Sequence, residues 1–101
     1  MVRHIILWKL ADEHTSEREE ILRGVKAGLE GLSGVIPGLV SIRVQTEGLA
    51  SSTADAMLES AFESEEALKV YAKHPAHQAV ANEKVRPFME ARLCLDYEAD
   101  A

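Results

Sequence analysis

The chain has 101 residues, with 11 Lys and Arg against 17 Asp and Glu, a formal net charge of −6, and 47% hydrophobic residues. This length admits one domain, residues 1–101, which as an isolated chain would bury only ~60–70% of its unfolded surface. Affinity for nucleic acid or an anionic membrane comes largely from clustered Lys and Arg; here the basic residues are scattered and acidic ones prevail, so neither partner is expected. Nearly half the residues are apolar, more than one small core needs, and part of that surplus is expected to face a partner chain or a ligand. With 28% charged residues and ordinary hydrophobicity, the chain is expected to fold. Its one cysteine, Cys94, cannot form an internal disulfide, which points to a reducing compartment. The apolar run from Met1 to Lys9 lacks the length and cleavage site of a signal peptide, and no stretch approaches the ~20 apolar residues of a membrane span. A soluble, cytoplasmic protein is expected.

Residues 2–10 carry two alternating sets, Val2/His4/Ile6/Trp8 and Arg3/Ile5/Leu7/Lys9, both with large apolar groups, as in a strand buried on both faces near its middle. Ala11 to Thr15 reads as a polar connection. Ser16 and Glu19 have the spacing of a capping box, and Ile21, Leu22, Val25, Leu29 and Leu32 then form one apolar helical stripe that Gly34 and Pro37 stop. Gly24, Gly28 and Gly31 lie inside this helix, each costing ~1 kcal/mol relative to Ala. They predict either close packing of the helix on a sheet or room for a ligand between the two.

Val40, Ile42 and Val44 alternate with Ser41, Arg43 and Gln45 in a second strand. A Gly/Ser-rich loop, Glu47 to Thr53, leads to a third, Ala54 to Phe62, paired antiparallel with the second. Ser64 caps a second helix with Glu65 and Glu66 in its first turn, and Leu68, Tyr71 and Ala72 are expected to face inward. The helix breaks at His74-Pro75, since proline disfavours an α conformation at His74 and suits the first position of a new helix. That segment carries His77, Val80 and Ala81, and Pro87 ends or redirects it. Ala91 to Tyr97 forms a fourth strand, with Leu93, Leu95 and Tyr97 alternating against Cys94 and Asp96.

The order β-α-β-β-α-β is the split βαβ pattern of α+β, ferredoxin-like folds: a four-stranded antiparallel sheet with helices on one face. The other face has no internal cover, yet the first and last strands carry apolar residues on both sides. A homodimer joined through the sheet face would bury it. No internal repeat or low-complexity tract suggests two copies of the domain in one chain.

The densest chemistry lies in Tyr71-Ala72-Lys73-His74-Pro75-Ala76-His77. A kink at Pro75 brings Tyr71 and His77 together from two helical segments. Histidine is the natural acid and base at neutral pH, and a tyrosine hydroxyl can donate to a carbonyl oxygen. The pair is expected within hydrogen-bond reach at the mouth of a pocket between sheet and helices. The alternative is structural: His74 caps the new helix and His77 is a half-buried hydrogen-bonding residue. His4, on the first strand, lines the same pocket if its face is the helix-covered one. His14 reads as solvated. A metal at His74 and His77 would need a further ligand such as His4 or Cys94, which no spacing brings near, so no metal is expected. Cys94, inside an apolar strand, is not expected to be a nucleophile. Asp96 could orient a histidine. There is no Gly-rich phosphate loop, nucleotide fingerprint or nucleophilic-serine elbow, and no cofactor is expected.

The start MVRHIILWKL, the segment FESEEALKVYAKHPAHQAV and the ending ARLCLDYE resemble the stress-responsive A/B barrel (Dabb) family of dimeric α+β barrel proteins, over nearly the whole chain. The resemblance implies a ferredoxin-like subunit that dimerises through its sheet to close a barrel. Some plant members are polyketide cyclases that close a ring by an intramolecular aldol reaction. Their tyrosine and histidine look equivalent to Tyr71 and His77, with a first-strand histidine at His4. A further pocket histidine on their third strand corresponds here to Ala56, a departure from the cyclase pattern. The family also implies magnesium near the end of the first helix, where backbone carbonyls around Leu32 to Val35 are the available ligands. Two functions are therefore expected to compete. One is a homodimer binding a small apolar molecule between sheet and helices; the other is a cofactor-free cyclase or proton-transfer enzyme using His77 and Tyr71, with His4 beside them. A haem-degrading or quinol-forming monooxygenase on the same architecture fits less well, since no haem-ligand arrangement stands out.

Overall fold

The computed structural model describes residues 1–99. Four strands, β1 (Val2–Leu10), β2 (Leu39–Gln45), β3 (Ala56–Phe62) and β4 (Met89–Glu98), form one sheet in the order β2-β3-β1-β4. Every neighbouring pair is antiparallel. Three α-helices, α1 (Arg18–Glu30), α2 (Glu65–Lys73) and α3 (Pro75–Val80), complete the ferredoxin-like order.

Because side chains alternate across a strand, the register sorts the sheet into two faces. His4 lies opposite Ser60 and Asp96, Ile6 opposite Leu58 and Cys94, and Trp8 opposite Ala56 and Arg92. This face meets the helices. Val2, Ile6 and Trp8 join Val25, Leu29, Val44, Leu58 and Phe62 in the core. The other face brings Ile5 opposite Leu95 and Leu7 opposite Leu93, with Tyr97 beside Arg3. Leu93 and Leu95 are 71% and 63% exposed there. Towards β2 the same face turns polar, with Ser41, Arg43 and Gln45 opposite Ala61, Glu59 and Met57.

Several boundaries differ from those read in the sequence. Ser16 caps nothing: Asp12–Glu17 winds into a 3-10 helix, and α1 begins at Arg18 with no side-chain cap. An ion pair takes the place of the box. Arg18 Nε bonds Asp55 Oδ1 at 3.3 Å, and Asp55 Oδ2 accepts from the Leu10 amide at 2.7 Å, tying the helix start to the end of β1. α1 stops at Glu30, so Leu32 is buried from the following turn rather than from the helix. That turn needs Gly34, at φ +79°, which side chains adopt reluctantly. β3 begins at Ala56 rather than Ala54, and β4 is longer than expected, running from Met89 to Glu98.

Gly24 and Gly28 face the chain after α2 rather than the sheet. A Cβ on Gly28 would stand 2.9 Å from Val80 Cγ1, and one on Gly24 3.7 Å from Lys84 Cδ. They let α1 approach α3 and the turn of π-helix after it, Ala81–Val85. The break at His74-Pro75 forms as the residues dictate. His74 has extended backbone angles, and its Nδ1 accepts from the Ala76 amide at 3.1 Å, capping α3 with Pro75 at its first turn. Ser64 caps α2 through the Ala67 amide at 3.1 Å. Of the residues expected to face inward from α2, Tyr71 is buried and Leu68 half-buried, but Ala72 is exposed because the chain turns away after it.

Candidate functional site

The helices cover β2, β3 and β1 but leave the helix-side residues of β4 exposed: Arg92, Cys94 and Asp96 all reach solvent. This incomplete cover leaves a cavity of about 460 Å³ between sheet and helices. Its apolar wall includes Ile6, Trp8, Leu29, Leu58 and Val85; His4, Tyr71 and His77 join it, and Arg86, Glu90 and Arg92 add charge. The mixture of apolar wall and few convergent polar groups is characteristic of small-molecule sites.

Three elements bring the singled-out residues together. β1 supplies His4, 8% exposed; the last turn of α2 supplies Tyr71, 1% exposed; and the start of α3 supplies half-buried His77. The Tyr71 and His77 rings lie 4.2 Å apart between centroids, tilted by 34°, and the His4 ring is 6.1 Å from Tyr71. Phe62 packs edge-on against Tyr71 at 5.0 Å. The expected Tyr71–His77 hydrogen bond does not form, because the rings meet face against face. Among the described residues the Tyr71 hydroxyl and His77 Nδ1 have no hydrogen-bond partner, and both are shielded from solvent.

This burial sets their electrostatics. It pushes the Tyr71 phenol up to about 12, against which Arg92 acts weakly. Burial also lowers the His77 pKa, a shift opposed by the Ala72 backbone and reinforced by Arg86, His4 and Arg92. Desolvation disfavours the charged form of each, so at neutral pH Tyr71 is a protonated donor and His77 a neutral base. His4 is anchored differently: its Nδ1 contacts Asp96 Oδ1, and Ser60 Oγ donates to its carbonyl at 3.1 Å.

Other residues sort less predictably. Asp96 meets His4 rather than His77. Cys94 also lies beside His4, with Sγ 3.8 Å from Nδ1. His74 is committed to its cap, and His14 packs on Phe88 with Glu17 nearby, away from the cavity. Arg92 belongs to no motif of the sequence; its alternation with Cys94 and Asp96 on β4 is the signal that places it on this face. Ala56 sits on the cavity-side face, opposite Trp8, and places no polar group there.

The turn after α1 offers magnesium backbone carbonyls but no unengaged carboxylate. The carbonyls of Leu29, Glu30 and Leu32 accept from the amides of Leu32, Ser33 and Val35. The nearest carboxylate, Glu30, is held by Lys26 and the Val44 amide at 2.9 Å each. Magnesium is usually anchored by one or two carboxylates, and beside the carbonyls of Ser33, Gly34 and Val35 this turn supplies none that is unengaged.

Fold and site together define a ferredoxin-like α+β subunit with a ligand-sized cavity under its helices and an apolar, uncovered sheet face. The model of the stress responsive A/B barrel domain matches residues 2–99, and the chain belongs to that family. Among solved structures, a dimeric protein of unknown function with a ferredoxin-like fold, from Bacteroides fragilis NCTC 9343, is 31% identical. It superposes with a TM-score of 0.88, over 97% of this chain and 95% of that one. A dimeric ferredoxin-like protein of unknown function from Thermobifida fusca YX shares the fold at 23% identity and a TM-score of 0.79, over 97% and 90% of the chains. A Dabb family protein from Mesorhizobium loti MAFF303099 does so at 21% identity and a TM-score of 0.72, over 99% and 97%. Comparison with curated proteins finds no significant match. No helix among the described residues is long and apolar enough to cross a membrane.

Proposed function

We propose that the chain, as one domain over residues 1–101, acts in the cytoplasm as a homodimer that binds a small apolar molecule in the cavity between sheet and helices. The observation that carries this reading is the cavity itself: about 460 Å³, with an apolar wall and a polar cluster at His4, Tyr71 and His77. Dimerisation is supported by the exposed Leu93 and Leu95 beside Ile5 and Leu7, and by the dimeric Bacteroides relative. A contiguous exposed apolar patch of this kind marks an interaction surface. Trp8, the only tryptophan, lines the cavity and reports its occupancy. Titration with apolar ketones should shift Trp8 emission saturably, and sedimentation should give a dimer at micromolar concentration. A Trp8 signal indifferent to every such compound, or a monomer, would overturn the reading.

A second reading is favoured by the two unpartnered atoms, the Tyr71 hydroxyl and His77 Nδ1. In this reading the chain is a cofactor-free enzyme on a β-keto-type substrate. His77 takes an α-proton while the Tyr71 hydroxyl donates to the carbonyl oxygen, stabilising the enolate. The enolate carbon bonds to a second carbonyl of the same molecule, and His77 returns its proton to the alkoxide formed there. His4 contributes to the opposite wall. Turnover of poly-β-keto compounds that disappears in a folded His77→Ala variant would support this chemistry. Turnover that persists in that variant would remove His77 from it.

A further inference from the structure

On the β4 side of His4, away from the Tyr71–His77 pair, three side chains of different chemistry converge. His4 Nδ1, Cys94 Sγ and Asp96 Oδ1 all lie within 4.8 Å of one another. The backbone dictates this grouping. His4 and Asp96 are directly paired across the β1–β4 ladder, and Cys94, two residues before Asp96, points to the same face. The donors border a second cavity, about 590 Å³, between β4 and α2, with Glu65, Leu68 and Lys69 on its far wall.

We propose that His4, Cys94 and Asp96 form a binding site for a divalent zinc-class cation, with its fourth coordination position open to this second cavity. Two of the three donor spacings are close to those of tetrahedral coordination. Bonds of ~2.0–2.2 Å to nitrogen and oxygen and ~2.3 Å to sulfur place donor atoms ~3.4–3.6 Å apart. Cys94 Sγ stands 3.5 Å from Asp96 Oδ1 and 3.8 Å from His4 Nδ1. Only the His4–Asp96 pair, now in direct hydrogen-bond contact, must open, by a rotation that the exposed Asp96 side chain is free to make.

The donor set also chooses the ion. A thiolate, an imidazole and a carboxylate suit zinc or cobalt and are a poor match for the all-oxygen shells of magnesium or calcium. Two anionic ligands and a neutral imidazole balance a double positive charge. Three protein ligands with an open position are the arrangement that leaves room for a water or an outside ligand. Binding requires loss of the Cys94 proton, so affinity should rise with pH and a proton should be released per ion bound. The site does not depend on the ligand cavity proposed above, since its test reads the metal alone.

The test is titration of the chelator-treated chain with Co²⁺ and then Zn²⁺. The expected result is one Co²⁺ per chain, visible bands of tetrahedral intensity, and a thiolate-to-cobalt charge-transfer band in the near ultraviolet, all displaced by Zn²⁺. Cys94→Ser should abolish the charge-transfer band, and Asp96→Asn should weaken binding by an order of magnitude or more. His14→Ala should change neither. Circular dichroism establishes that each variant is folded, and Cys94 and Asp96 are exposed enough to be exchanged without disturbing the core. No Co²⁺ binding by the parent chain, a complex without a thiolate band, or affinity unchanged by Cys94→Ser would overturn the proposal.

Discussion

The Tyr71 ring is 1% exposed, and its hydroxyl, shielded from water, has no hydrogen-bond partner among the described residues. Folding therefore strips that hydroxyl of solvent and returns nothing, an arrangement that costs ~1–3 kcal/mol. Tyr71→Phe removes the unpaired group and keeps the ring against Phe62 at 5.0 Å and His77 at 4.2 Å. The lost oxygen contacts offset the gain by ~0.1–0.2 kcal/mol per atom pair. A net stabilisation of about 1 kcal/mol remains, which raises the thermal midpoint of a domain this size by ~4–8 °C. Thermal and urea unfolding measure it, at matched protein concentration because a dimer's midpoint depends on concentration. The same variant should bind cavity ligands bearing a carbonyl more weakly, since the donor is gone. A group retained against stability and needed for binding is what a functional role implies. A fall of ~1 kcal/mol in Tyr71→Phe, the worth of an ordinary hydrogen bond, would refute this reasoning by showing the hydroxyl paired. A stabilised variant with unaltered binding would take the hydroxyl out of the site.

Further outcomes follow from the same packing. Burial lowers the His77 pKa below 6.5, so between that value and the lowered one the unfolded chain holds more protons than the folded chain. The His77 contribution is then complete above pH 6.5 and lost as pH falls through the window; His77→Gln should flatten the acid slope of unfolding midpoints, and an unchanged slope would place the sensitivity elsewhere. Gly24→Ala, whose Cβ meets Lys84 Cδ at an ordinary 3.7 Å, should gain ~0.5–1 kcal/mol from helix propensity. In Gly28→Ala the new Cβ falls 2.9 Å from Val80 Cγ1, on a β-branched side chain stiff at χ1. The overpacking of ~1–3 kcal/mol should outweigh the propensity gain and give a net loss of about 1 kcal/mol; denaturant titrations showing the same sign for both glycines would refute the close helix approach. Leu95→Lys, on the uncovered face opposite Ile5, should convert dimer to monomer in sedimentation without loss of helix and strand signal. Gln45→Lys, on the polar part of that face, should leave the dimer intact, and a Leu95→Lys dimer would move the interface elsewhere.

Much of the architecture was legible because alternation and helical spacing depend on neighbours only a few residues apart. Val2/His4/Ile6/Trp8 and Leu93/Leu95/Tyr97 sort into alternating sets without knowledge of the fold, although which set of β1 meets the helices stays open until the strands pair. The proline after His74 forces its break locally. Local signals failed where a distant residue competed. Ser16 and Glu19 had the spacing of a capping box, but Arg18 is held instead by Asp55, from a segment 37 positions away. The helix glycines predicted a close approach to the sheet or space for a ligand, but the side chain nearest Gly28, Val80, lies in another helix that no periodicity identifies.

The candidate site divides the same way. Tyr71 and His77 are six residues apart on either side of a proline, so their proximity is a local consequence of the kink. That their rings stack without a hydrogen bond depends on Phe62 and the sheet beneath them, and only the packed structure decides it. His4 stands 90 and 92 positions from Cys94 and Asp96 and meets them solely through the β1–β4 register. By itself, the order of residues determined the main strands and helices, the alternating sets along them and an apolar surplus beyond one small core. Tertiary structure decided which titratable groups share a wall and which polar atoms go without partners, because both depend on strand pairing and helix docking across the length of the chain.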